Sequence, residues 1–330
     1  LSFAASGALA QELTGTLKKI KDSGTISLGI RETSVPFSYL DEKQNAIGYS
    51  IDLCEKVVEA IKAELKLPTL TVKRIPVVSQ TRIPLVANGT VDLECGSTTN
   101  TLTRHKQAEF SHITFIGGTR LLVKAKSGIR EVEDLRGRSV SVSQGTTNER
   151  VIKALSDKLN LGIKILNVKD HGEGFLTLES GRVDANVSDD IQLMGLRSKA
   201  RNPNDYVVTG RLLSYEPFGL MFRRNDADFK LLVNRTLSSL MRTGEMEKIY
   251  DKWFTPLGAP MTPTMRAAFE IQALRSEMVV LATGCGEQDR YNRVLTKFQA
   301  ELRANEQAVA AYFRKTYGRS AQAEYDLSLI

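Results

Sequence analysis

The 330-residue chain is 42% hydrophobic and 25% charged, an ordinary folded composition with enough length for two domains that each bury a core. No stretch approaches the ~18–20 apolar residues needed to cross a bilayer. The net charge of +7 is spread along the chain without a long run of like charges, which favours acidic partners and argues against nucleic acid.

The first ten residues, LSFAASGALA, are small and apolar, with Ala8 and Ala10 at the small-residue positions of a secretory cleavage site. Residues 1–10 therefore read as the remnant of an export signal. Residues 16–21 predict a short helix stopped near Gly24, and 25–30 a strand. Ile51, Val57, Val58, Ile61 and Leu65 share one face of a helix over 50–66, with Pro68 just past its end. Strands over 70–77 and 91–95 flank a short helix at 81–87 that stops at Asn88-Gly89. The second half repeats this logic. A strand at 139–143 turns through Gln144-Gly145-Thr146-Thr147 into a helix over 148–159, followed by a strand at 163–168, a short helix at 175–179 stopped by Gly181, and a strand at 183–187. Alternating strand and helix predicts α/β sheets whose ligand site lies beyond the strand ends.

Two similar lobes fit this repetition better than one long sheet. The extended, apolar segments 118–124 and 215–223 are the expected crossovers, with helices over 229–241 and 246–254 completing the first lobe. The division is then 14–117 with 216–262 as lobe one and 118–215 as lobe two. Two crossing strands make a hinge, and closure around a ligand follows from that layout. Cys54, Cys95 and Cys285 lie far apart, and the three histidines do not cluster with them, so neither a metal site nor a cofactor is expected. An exported chain can pair two of these cysteines; the spacing leaves open which two.

The polar residues gather just past the strands. Ser97-Thr98-Thr99 follows the strand at 91–95, with Arg104 close behind. Hydroxyls and free N–H groups beside a guanidinium fork suit a planar carboxylate, although such a cluster also serves as an ordinary cap and turn. Gln144-Gly145-Thr146-Thr147 opens a helix, where anions are favoured and where either threonine can cap. Arg31, Ser79, Arg82, Asp170-His171-Gly172 and Asp189-Asp190 also follow or flank strands or helix starts.

The strings IRETSVPFSY, GYSIDLC, SQTRIPLVANGTVDLECGSTTNT, DLRGRSVSVSQGTTNE, KDHGEGF, TLESGRVDA and DKWF together resemble the polar amino-acid binding family of ABC importers, solute-binding protein family 3, and within it the glutamate/aspartate-binding members. The resemblance covers about residues 14–262. It implies a type II two-lobed periplasmic-binding-protein fold with two crossover strands as hinge. It also implies binding without catalysis, a periplasmic location, a monomer, and a membrane permease as partner. Carried over by position, the family's contacts fall on Arg31, Ser79, Arg82, Ser97, Thr99 and Arg104 in lobe one, and on Thr147, His171 and Asp189 in lobe two. Arg104, Ser97 and Thr147 are then expected at the ligand's α-carboxylate and Asp189 at its α-ammonium. Arg31, Arg82, Ser79 and His171 are expected at a side-chain carboxylate. Three arginines against one aspartate point to an acidic ligand.

The chain departs from the family pattern in two places. Asn186-Val187-Ser188 is more polar than expected, which leaves the choice between Asp189 and Asp190 open. Beyond Pro263 a further 67 residues follow, read as a mostly helical extension over 263–330. The competing readings are an enzyme on the same scaffold, such as a cyclohexadienyl dehydratase, and a sensor module. The first needs an acid poised over a ring, and the second needs a signalling or membrane segment.

Overall fold

The computed structural model describes residues 13–261 together with Arg266 and Phe269. The expected signal remnant and, apart from those two residues, the expected extension lie outside the described residues. In chain order the elements are α1 (Gly15–Ser23), β1 (Thr25–Ile30), three short strands β2 (Thr33–Ser34), β3 (Ser38–Leu40) and β4 (Ala46–Ile47), α2 (Tyr49–Glu64), β5 (Thr71–Pro76), α3 (Arg82–Ala87), β6 (Leu93–Glu94), α4 (Leu102–His105) and β7 (Glu109–Gly117). Next come β8 (Thr119–Lys124), β9 (Ser139–Ser143), α5 (Thr147–Lys158), β10 (Lys164–Val168), α6 (His171–Glu179), β11 (Ala185–Asp189), α7 (Asp190–Ser198) and β12 (Tyr206–Thr209). Strand β13 (Glu216–Phe222) and helices α8 (Ala227–Arg242) and α9 (Glu245–Phe254) complete the described chain.

The strands form two five-stranded sheets, ordered β5-β1-β6-β13-β7 and β10-β9-β11-β8-β12, plus a small β2-β3-β4 sheet. In each large sheet the early strands pair parallel and the crossover strands pair antiparallel. Every residue of β11 and β13 is buried, as expected where helices cover both faces of a sheet. One core packs α2, α8 and α9 on the first sheet, and Val77, Val86, Val91 and Met221 form a smaller cluster of that lobe. Val140, Val142, Ile152 and Val187 belong to one core cluster of the second sheet, and Leu122, Phe175 and Leu193 to another.

The chain crosses between sheets at two adjoining points. Gly117 at the end of β7 pairs with Glu216 at the start of β13, and Leu213 N–H donates to the Thr119 carbonyl at 2.9 Å. Gly118 lies between them, and a Cβ there would fall 2.5 Å from the Ser214 carbonyl oxygen. Beneath this crossing, the Phe37 ring meets Phe115 and Phe218 edge-on at 5.1 Å, and Phe115 stacks on Phe254 at 4.7 Å. Edge-to-face and stacked pairs of this kind each contribute about 0.5–1.5 kcal/mol beyond the area they bury.

Several element bounds differ from the sequence expectations in ways that move functional residues. The strand expected over 91–95 contracts to Leu93–Glu94. The strand expected over 183–187 shifts to Ala185–Asp189, which puts Asp189 at its end. The helix expected at 175–179 begins at His171, because the Asp170 side chain accepts the Glu173 N–H at 3.0 Å and caps it.

Candidate functional site

Each lobe contributes its site residues from strand ends and helix starts. Arg31 follows β1, Ser79 and Arg82 bracket the entry to α3, Ser97 and Thr99 follow β6, and Arg104 lies on α4. Thr147 and His171 are the first residues of α5 and α6, and Asp189 closes β11. All nine are at most 8% exposed. Cys54 on α2 is disulfide-bonded to Cys95, with Cα atoms 6.1 Å apart, which ties the Ser97–Thr99 segment to the helix beneath it.

The two lobes meet across these residues. Thr99 Oγ1 lies 3.2 Å from Thr147 Oγ1, Arg104 Nη2 donates to the Gly145 carbonyl at 3.3 Å, and the Gly172 N–H donates to Thr33 Oγ1 at 3.2 Å. Gln192 of α7 reaches across to lobe one, its Nε2 donating to Ser97 Oγ at 2.8 Å and to Ser34 Oγ. Gly145 has φ +79°, and a Cβ there would sit 3.1 Å from Gln80 Cα. A side chain at that position would therefore hold the lobes apart.

The arginines are buried at an electrostatic cost. Burial, then the neighbouring Arg82, pulls the Arg31 guanidinium down to about 10. Burial, then Arg82 and Arg150, pulls Arg104 down to about 9. Burial also lowers Arg82, against Glu94, Asp189 and Glu216, which raise it. Arg104 Nη1 donates to the Thr99 carbonyl at 2.8 Å. In contrast, Arg31 Nη1 and Nη2, Arg82 Nε and Ser79 Oγ are buried without a protein hydrogen-bond partner. Such donors are costly to leave unmade, and together they present the face that a carboxylate accepts from. His171 is held well below the usual imidazole range by burial, then by Arg31 and Arg82. It is therefore neutral at pH 7, and Ser143 and Ser188 hydroxyls lie 3.3 and 3.1 Å from its Nδ1.

The acidic side is larger than the sequence indicated. Asp189 is not the sole buried carboxyl facing the guanidiniums: Glu94 is 0% exposed and Glu216 is 2% exposed, and both act on Arg82 and Arg104. The count of three arginines against one aspartate is therefore corrected to three against three. Polarity is instead set by where the unpartnered donors lie. The Asp189 carboxyl is pushed well above the usual carboxylate range by burial, then by Glu216, while Asn148 Nδ2 donates to its Oδ1 at 3.1 Å. Asp190 instead accepts from its neighbours' backbone, Gly118 N–H at 3.4 Å and Ile191 N–H at 2.8 Å, so it is Asp189 that Arg82 feels.

This arrangement can grip a small zwitterion that carries extra negative charge, with guanidiniums at its carboxylates and buried acids near its amine. The sequence model of bacterial extracellular solute-binding proteins, family 3, matches residues 26–256. The chain belongs to this family. As a family 3 solute-binding protein it is 53% identical over 248 residues to the L-glutamate/L-aspartate-binding protein of Pseudomonas aeruginosa, covering 75% of this chain and 82% of that one. It is 45% identical over 260 residues to the glutamate/aspartate import solute-binding protein of Escherichia coli, covering 77% and 86%. A crystal structure of an ancestral amino acid-binding protein, described as a precursor of cyclohexadienyl dehydratase, superposes with TM-score 0.63 at 30% identity, covering 73% of this chain and 100% of that one. The two-lobed α/β architecture of this solute-binding protein is the type II arrangement of such amino acid-binding proteins.

Glu94, Asn148, Gln192 and Glu216 were not singled out by sequence reasoning. A signal existed for the two glutamates, since each interrupts or abuts an apolar strand, and glutamate is almost never fully buried unless paired. Gln192 and Asn148 carry no such mark. Among the described residues no group of His, Cys, Asp or Glu is placed to hold a metal, and no helix is long and apolar enough to cross a membrane.

Proposed function

We propose that this chain captures L-glutamate or L-aspartate by closing its two lobes, 14–117 with 216–262 against 118–215, and delivers it to the permease of an ABC importer. It would act as a monomer in the periplasm after export through its N-terminal signal. The observation that carries this reading is the set of buried donors without protein partners at Arg31, Arg82 and Ser79. Arg31 and Arg82 lie close enough to His171 to hold it neutral, and the set is distinct from Arg104, which accompanies the helix start at Thr147. One carboxylate is enough for Arg104, Ser97 and the backbone N–H of Thr147, since first-turn N–H groups have no acceptor within their helix. The remaining donors call for a second carboxylate, and Asp189 serves the ammonium. The names borne by the relatives above support the same ligand class.

No covalent chemistry is part of this proposal. The raised carboxyl of Asp189 is accounted for by burial and by Glu216, without a role as a proton donor. Calorimetry with glutamate, aspartate, glutamine, asparagine and arginine tests the reading. Glutamine and asparagine are expected to bind at least ~100-fold more weakly than their acids, about 2.7 kcal/mol. Equal affinity for glutamate and glutamine would sink the two-carboxylate site.

A further inference from the structure

We infer that Glu216 is a specificity-determining residue for the ligand's amino group, forming with Asp189 a two-carboxylate seat at the hinge. This rests on the reading of the site as an amino-acid pocket and adds a residue to it. Glu216 opens β13 at the point where the chain returns to lobe one, and it is 2% exposed. Its Oε1 accepts the Ser214 hydroxyl at 2.6 Å. Its Oε2 accepts hydroxyls from both lobes, Thr99 at 2.7 Å and Thr147 at 2.6 Å.

A threonine hydroxyl has one proton and two lone pairs. With both protons directed at Glu216, the Thr99 and Thr147 oxygens are left as acceptors, which suits an ammonium and not a carboxylate. Asp189 joins the same hydrogen-bonded chain. Asn148 Nδ2 donates to Asp189 Oδ1 at 3.1 Å and to Thr119 Oγ1 at 2.8 Å, and Thr119 Oγ1 lies 2.7 Å from Ser214 Oγ. Two buried acids that repel each other are relieved by a cation placed near both. Glu216 sits on the crossover strand and accepts one hydroxyl from each lobe, so the seat is assembled only when the lobes meet.

The test compares L-glutamate with glutarate, which keeps both carboxylates and lacks the amine, in calorimetry on the full chain. The unaltered protein is expected to prefer glutamate by roughly 100-fold or more, because glutarate leaves the two acids without a cation. In Glu216→Gln, glutamate affinity is expected to fall by about 30-fold or more while glutarate changes by less than about 3-fold or improves. Equal losses for both ligands would make Glu216 a support for the hinge and overturn the inference, as would an unchanged glutamate affinity. Should Glu216→Gln fail to fold by thermal unfolding, Thr147→Val carries the test: a larger loss for glutamate than for glutarate supports the seat, and equal losses overturn it. Failure of the unaltered protein to bind either ligand would count against the acidic amino-acid reading, separately from Glu216.

Discussion

In an Arg31→Met variant the closed protein loses a guanidinium that is 1% exposed and lacks a protein partner at either Nη. Two opposite consequences follow. The ligand loses charge-assisted hydrogen bonds to a buried fork, an effect of roughly 3–5 kcal/mol or about 100- to 4,000-fold in affinity. The unliganded protein, however, is relieved of a charge that burial and Arg82 pull down from the ordinary guanidinium range to about 10. At about 1.4 kcal/mol per unit, that relief is at most ~3 kcal/mol, and methionine fills much of the same length without a charge. The unliganded variant is therefore expected to melt several degrees higher than the unaltered protein, since ~1 kcal/mol moves a chain of this size by about 2–4 °C. Calorimetry with glutamate and thermal unfolding without ligand measure both effects on one sample. An unchanged glutamate affinity, or a variant that melts lower without ligand, would refute the assignment of Arg31 as a ligand donor held against its own burial.

Gln192→Ala removes the bridge from α7 to Ser34 and Ser97. Glutamate affinity is expected to fall about 5- to 30-fold, chiefly through faster release, and a stopped-flow release rate equal to that of the unaltered protein contradicts the bridge's role in holding the lobes together. Reduction of Cys54–Cys95, which closes a loop with a sequence separation of 41, should destabilise the protein by about 4 kcal/mol in a chain-entropy account, read as a lower thermal midpoint in reductant. A midpoint that does not move would place the disulfide's effect elsewhere. His112 of β7 is pulled down to about 4 by burial, then by Lys230, so the unfolded chain binds its proton first. The associated stability is complete above pH 6.5 and declines as pH falls from there toward about 4, by up to ~3 kcal/mol. His112→Leu should flatten that part of the profile, and identical profiles for the two proteins would contradict the assignment.

Much of the local structure was legible because local patterns encode it. Gly24, Asn88-Gly89 and Gly181 mark real stops, and the strands at 25–30 and 139–143 coincide with observed ones. Strand β7 escaped because Ser111, His112 and Thr114 break its apolar alternation, although Ser111 and Thr114 are buried and bonded to the backbone of β13. Helix α7 has no counterpart among the expected elements, because its buried Ile191, Leu193 and Leu196 are interleaved with Gln192 and Gly195, which are buried as well. The nine candidate ligand residues come together as a buried group, but the partners that set their charge and proton directions did not announce themselves. Thr99 and Thr147 are 48 residues apart and Gln192 and Ser34 are 158 apart, and no window on the chain spans such pairs. The pairing of Cys54 with Cys95 was equally invisible, because it depends on α2 lying beneath the end of β6.

The side-by-side crossing at Gly117–Thr119 and Leu213–Glu216 acts as a door hinge with two pins on one line. Both passages between the sheets lie side by side, so rotation about their shared line is the motion that the connectivity opposes least. Under the proposed function, a permease that touches both lobes from outside would sense the cargo without ever contacting it.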